Sequence, residues 1–230
     1  MPDVLLIALI AGVLAIDDRA GWQSLLGEPV FSSLIIGLLL GTVASALQVG
    51  VVLQLAWLSI GAARGTRRPH TVVGGLVGAA SAALVLSQEG DSRETVVVAA
   101  GVLVGLLAAE IGAVASRATG TLRERWLGSF TLPGVHADVS RKLTFTVLGA
   151  ALVIGIVDFV LVLVMLPLGE RLVELFEARL GTGGATGATW WLMGVSALGV
   201  AAILRAFGTR ILVRFLAAGA AAVLLIGWLR

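Results

Sequence analysis

The chain has 230 residues, of which 58% are apolar and 13% charged, and its formal net charge is +2. A soluble domain averages about 45–50% apolar and about 25% charged, so with a mean hydropathy of +1.04 an integral membrane protein is expected. The charge excess is small and Arg-dominated, with no basic and aromatic interleaving, which argues against nucleic acid as a partner. The absence of cysteine excludes disulfides, thiol catalysis and Cys-based metal sites.

In chain order the apolar runs predict spans over Pro2 to Ile16, Val30 to Leu47, Val49 to Ala63, Thr71 to Leu86, Thr95 to Ala115, Leu143 to Leu168, Ala185 to Leu204 and Ile211 to Leu229. The first run lacks the basic flank of a secretory signal and is read as a structural segment. Crossing the hydrocarbon core takes about 20 residues. The early runs are shorter and Gly-interrupted, so they read as re-entrant or broken helices, which need protein or a wet cavity to satisfy their backbone. The expected architecture is an all-α polytopic transmembrane helix bundle. It forms one domain over residues 1–230, with re-entrant or broken helices in its N-terminal third and a cytoplasmic polar break near residues 116–142.

Charges between the runs set the expected orientation. Arg64, Arg67 and Arg68, then Arg117, Arg123, Arg125, Arg141 and Lys142, then Arg205, Arg210 and Arg214 alternate with the acidic Glu89, Asp91 and Glu94. The positive-inside rule places the three basic groups in the cytoplasm. From Glu170 to Leu180 the residues Leu172, Val173, Leu175, Phe176 and Leu180 recur at helical spacing among charges, predicting a separate helix along the membrane surface. The pattern Gly74-Gly75-x-x-Gly78-Ala79-Ala80 predicts close helix packing; without a following Lys and Ser or Thr it is no phosphate loop.

Polar groups inside apolar runs cost on the order of 3 kcal/mol on insertion scales and usually face protein or a wet cavity. Here they are Asp17, Asp18 and Gln23 in the first polar interruption, Gln54 in the third run, and Glu110, Asp158 and Arg205 in or at the ends of later ones. Asp17, Gln23 and Gln54 offer the donors and acceptors that sugar hydroxyls need, and Trp22 and Trp57 offer faces for a pyranose ring. The alternative is that Asp17 and Asp18 cap a helix, the two Trp lie in the interfacial aromatic belt, and Gln54 joins helices. Glu110, Asp158 and Arg205 are read as partners in internal pairs, with a proton path as the alternative, and His70 and His136 as solvated loop residues with no metal between them.

Several of these residues carry a family resemblance: Leu14-Ala15-Ile16-Asp17, Gln23, Glu28-Pro29-Val30, Gly37-Leu38-Leu39-Leu40-Gly41, Val49-Gly50, Leu53-Gln54-Leu55, Trp57-Leu58 and Ile60-Gly61-Ala62-Ala63. Together they resemble membrane subunit IIC of the mannose-class (mannose/fructose/sorbose) sugar phosphotransferase system. The family pattern is a Leu-Asp segment with downstream Gln and Arg-Pro, a Gly-Asp turn, Gly-x-x-Leu-Glu-Leu, Trp-Leu and a Gly-Ala-Ala-x-x-Pro close. This chain departs from it with Glu28-Pro29, Gly41-Thr42 and Leu53-Gln54-Leu55, and its Ala63 runs on into Arg64-Gly65-Thr66-Arg67-Arg68-Pro69.

The resemblance implies a transport subunit rather than an enzyme, in a bacterial cytoplasmic (inner) membrane. It would bind sugar and move it toward a cytoplasmic phosphoryl donor. Implied partners are a IID-like membrane subunit, soluble IIB and IIA phosphocarrier subunits, and further copies of the chain in a homo-oligomer. No cofactor is implied. The departures keep open a degenerate relative acting in membrane docking or sensing, and an unrelated secondary transporter would instead use Glu110 and Asp158 for ion coupling.

Overall fold

The computed structural model describes residues 2–20, 25–64, 70–89, 94–130, 139–180 and 184–207. Among them the chain is helical without strands: α1 (Pro2–Ala20), α2 (Pro29–Leu40), α3 (Val43–Arg64), α4 (Thr71–Glu89), α5 (Glu94–Phe130), α6 (Val139–Leu180) and α7 (Ala185–Phe207). Large side chains point outward, among them Leu38 at 67%, Val164 at 63% and Trp190 at 71% exposure. Apolar surface of that extent on helices that are apolar all round is the signature of a lipid-facing bundle. Apolar stretches long enough to cross a bilayer run over Glu94–Thr121 in α5 and Leu148–Leu180 in α6. The candidate span Ile211 to Leu229 and the loop residue His136 lie outside the described residues.

The break between the second and third candidate spans falls at Gly41-Thr42 rather than at Gln48. Gly41 adopts φ 73°, and its N–H bonds to the Gly37 carbonyl, closing α2 with a left-handed cap that an L-residue adopts poorly. With 12 residues, α2 is about 18 Å long. That is too short to cross, so α2 folds back along α3 as a hairpin. Its contacts fix the register: Gly37 meets Val43 and Ala46, and Gly50 meets Ser33 and the Pro29 carbonyl so closely that no side chain fits at position 50. Pro29 therefore lies near the middle of α3.

Glycines also set the approach of the longer helices. A Cβ added at Gly78 would sit 2.7 Å from the Gly101 carbonyl oxygen, and one at Gly74 would sit 2.7 Å from that of Gly105. This backbone-to-backbone contact joins α4 and α5, as the small-residue pattern predicts. Gly12 of α1 meets Gly155 of α6 in the same way, while Ile16 lies against that same Gly155. Since Gly12 also meets Phe159, α1 runs antiparallel to α6. Asp158 of α6 stands against His70, just before α4, and further along α6 Gly169 packs on Ser81 of α4, so α6 runs parallel to α4 and the carboxyl end of α1 lies at the amino end of α4.

One sequence expectation is corrected here. The segment Glu170 to Leu180 is not a separate surface helix but the continuation of α6, which runs through Pro167. Gly169 docks on α4, and Val173 and Glu177 are buried; these contacts hold the helix together across the missing Pro N–H. In the polar break expected near residues 116–142, α5 continues to Phe130 and α6 starts at Val139, while residues 131–138 lie outside the described residues.

Candidate functional site

Among the described residues, Asp17 and Asp18 lie where α1 ends, Asp18 close to the starts of α2 and α4, and Gln54 of α3 faces the start of α2. Asp17 and Asp18 occupy the last turn of α1, both half-buried. Carboxylates at a helix carboxyl end oppose its macrodipole, so neither Asp caps α1 and helix stability does not explain their placement. The chain re-enters the described region at Leu25, which takes φ 65°. A left-handed Leu is a strained backbone state, of the kind that concentrates at functional sites. The Glu28 N–H bonds to the Leu25 carbonyl at 2.9 Å, and the Glu28 carbonyl accepts from Ser32 N at 2.9 Å. Glu28 is thus the N-cap of α2, with Pro29 at the first helical position, a placement favoured by the dipole and by the fixed φ of proline.

From that cap the Glu28 side chain reaches across the hairpin. Gln54 Nε2 donates to Glu28 Oε2 at 2.9 Å, a bond to a carboxylate and hence among the stronger ones. The other end of the amide, Gln54 Oε1, is buried without a hydrogen-bond partner among the described residues. Such a buried acceptor calls for a donor from water or a ligand. Asp18 approaches the same place: a Cβ built on Gly27, next to Glu28, would sit 3.4 Å from Asp18 Cβ and 2.8 Å from Cγ2 of Val72 in the first turn of α4. Residues from α1, α2, α3 and α4 therefore converge at half the depth of α3.

The other residues expected at a sugar site fall as follows. Trp57 lies one turn beyond Gln54, 6% exposed, its ring tip against Gly74 of α4. Trp22 and Gln23 lie outside the described residues. Glu28, which sequence reading treated only as a departure from a pattern, is the direct partner of Gln54.

His70 is corrected outright. It is no solvated loop residue: its side chain is 1% exposed, and Nε2 stands 3.0 Å from Oδ1 of Asp158, itself 3% exposed. The imidazole donates and the carboxylate accepts. Asp158 Oδ2 is buried without a hydrogen-bond partner among the described residues. The pairing read for Asp158 therefore exists, with a histidine as its mate. Glu110 is exposed, and no three of the described His, Asp or Glu residues stand together as metal ligands.

An open groove of about 650 Å³ between α3, α5 and α7 is lined by Gln48, Val51, Val98, Thr189, Leu192 and Met193, among others. It sits toward the other end of α3, where Ser45 Oγ donates to Glu94 Oε1 at 2.6 Å. Its lining among the described residues holds no carboxylate, and it is not the site described above.

A family model described as PTS system sorbose-specific iic component matches residues 1–228. No curated protein matches the chain, and no solved structure does.

Proposed function

We propose that this chain, which belongs to the sorbose-specific IIC component family of the phosphotransferase system, binds its sugar at the junction of α1, α2, α3 and α4 and passes it toward a cytoplasmic phosphoryl donor. Membership makes the protein a membrane component of a sugar phosphotransferase system, a transport subunit associated with other components of that system. The bond from Gln54 to Glu28, with a buried acceptor on the same amide that no described residue satisfies, is the observation that carries the location. A sugar hydroxyl both donates and accepts, so it complements a carboxamide oxygen beside a carboxylate.

In this reading Asp17, Gln54 and Glu28 bind hydroxyls. Gln23 and Trp22 complete the site from the connection between α1 and α2, and Trp57 supplies its apolar wall. Chemistry on the sugar belongs to the partners: a IID-like membrane subunit shares the translocation unit, and soluble IIB, recharged by IIA, delivers the phosphoryl group. The chain acts as a homo-oligomer in a bacterial inner membrane. With the basic loops inside, the Arg64 end of α3 and the Arg117 region of α5 face the cytoplasm, and the amino end of α1 faces outward.

Calorimetric titration of the purified membrane complex with a panel of hexoses, hexosamines and ketohexoses tests the location. One sugar should bind the parent and be weakened by replacing Gln54 or Glu28. Sugar binding that both replacements leave untouched would move the site elsewhere.

A further inference from the structure

The pair of His70 and Asp158 has no role in the proposed site, yet it occupies a node of the fold. The His70 backbone N–H donates to the Ala109 carbonyl of α5 at 3.2 Å, and the His70 carbonyl accepts from Gly74 N at 3.1 Å as the first bond of α4. Its Cβ lies so near Gly112 that a Cβ there would be 2.8 Å away. Its ring reaches Asp158 on α6. One residue thus ties the start of α4 to α5 and α6. The turn that follows supports the polar cluster, with Val72 against Gly27, Gly74 against Trp57, and Gly75 against Pro29 and Ser32.

A buried polar pair is weak evidence for stability, because well-packed apolar residues of like volume often do as well or better; its best-attested use is to fix register. We infer that His70 and Asp158 are positioning residues: their bond sets the register of the first turn of α4 against α6, and through Val72 and Gly27 it holds Glu28 in reach of Gln54. The inference rests on the proposed sugar site for its meaning, but its geometry can be tested without sugar.

The chain has no cysteine, so Gly27→Cys/Val72→Cys adds the only thiol pair, at positions where a Cβ on Gly27 would stand 2.8 Å from Cγ2 of Val72, an atom that the change to cysteine can remove. The rate of oxidative cross-linking in the full-length chain within its membrane complex then reports how steadily the two are apposed. In a His70→Leu/Asp158→Leu background the complex should assemble and melt with the parent but cross-link roughly tenfold more slowly, the effect expected from losing one such bond. With Asp158→Asn, which keeps an oxygen acceptor for His70, cross-linking should stay near the parent rate. A Leu pair that melts with the parent and cross-links as fast overturns the inference. If the Leu pair does not assemble, Asp158→Val and Asp158→Asn decide: slowing in Val alone supports positioning, and any other pattern refutes it. Failure of the sugar site is a separate result, a parent complex that binds no sugar.

Discussion

Replacing Gln54 by leucine removes one hydrogen-bond donor and one acceptor from the junction while keeping similar bulk. Gln54 Nε2 donates to Glu28 Oε2 at 2.9 Å, and a hydrogen bond to a charged group contributes about 1.5–3 kcal/mol. Both side chains are half-buried, so screening by solvent pulls the value toward the lower end. If Gln54 Oε1 also meets a sugar hydroxyl, binding should weaken by about 1–3 kcal/mol, or roughly 5 to 150-fold in Kd. Gln48→Leu makes the same chemical change earlier on the same helix, at an exposed position, and should leave Kd unchanged. Glu28→Gln keeps an acceptor for Gln54 Nε2 but removes the charge, so its effect should fall between the two. The assay is calorimetric titration of the purified complex, with elution volume and melting temperature confirming assembly. A Gln54→Leu variant that assembles and binds sugar as tightly as the parent would refute the reasoning.

Further outcomes follow from packing and topology. Gly78→Val should destabilise the bundle by about 1–3 kcal/mol, because the new Cβ would meet backbone atoms of Gly101 and Gly105 that have no room to give. Gly120→Ala, with nothing within 4 Å, should be neutral or stabilising by about 0.5–1 kcal/mol; thermal melting in detergent compares the two. Single cysteines replacing the exposed Ser87 and Arg117 should react with an impermeant thiol reagent from opposite faces, Ser87→Cys from outside and Arg117→Cys from the cytoplasm; reaction of both from one face would contradict the helix directions. In mild detergent a IID-like subunit should co-purify with the chain, and a sugar-transporting complex without it would contradict the partner assignment.

The class of fold was legible because lipid-facing helices are apolar all round, and composition reports that directly. The register of the hairpin was not. The turn at Gly41 is set by a left-handed cap, whereas the polar Gln48 made a more visible interruption; in the fold it faces an open groove and breaks nothing. The charges from Glu170 to Arg179 misled in the opposite sense: they read as a surface segment, but Gly169, Val173 and Glu177 dock onto the bundle and carry α6 on through Pro167. In the site, Gln54 was visible as an amide in an apolar run, while its mate was not. Glu28 lies 26 positions away, and no spacing rule joins the two. The one available signal was that both residues depart from the resembled pattern, a joint change expected of residues in contact. His70 was misread because its partner Asp158 is 88 positions distant, and a histidine at a helix start next to basic residues looks solvated until the tertiary fold encloses it.

The central claim is that the chain carries sugar for phosphorylation by its partners. Right-side-out vesicles containing the chain with its IID-like partner, and loaded with phosphorylated IIB, measure that claim directly when supplied with labelled external sugar. Label should appear inside as sugar phosphate, and vesicles lacking this chain should form none. Uptake of sugar that stays unphosphorylated, or sugar phosphate formed equally well without the chain, would contradict the account.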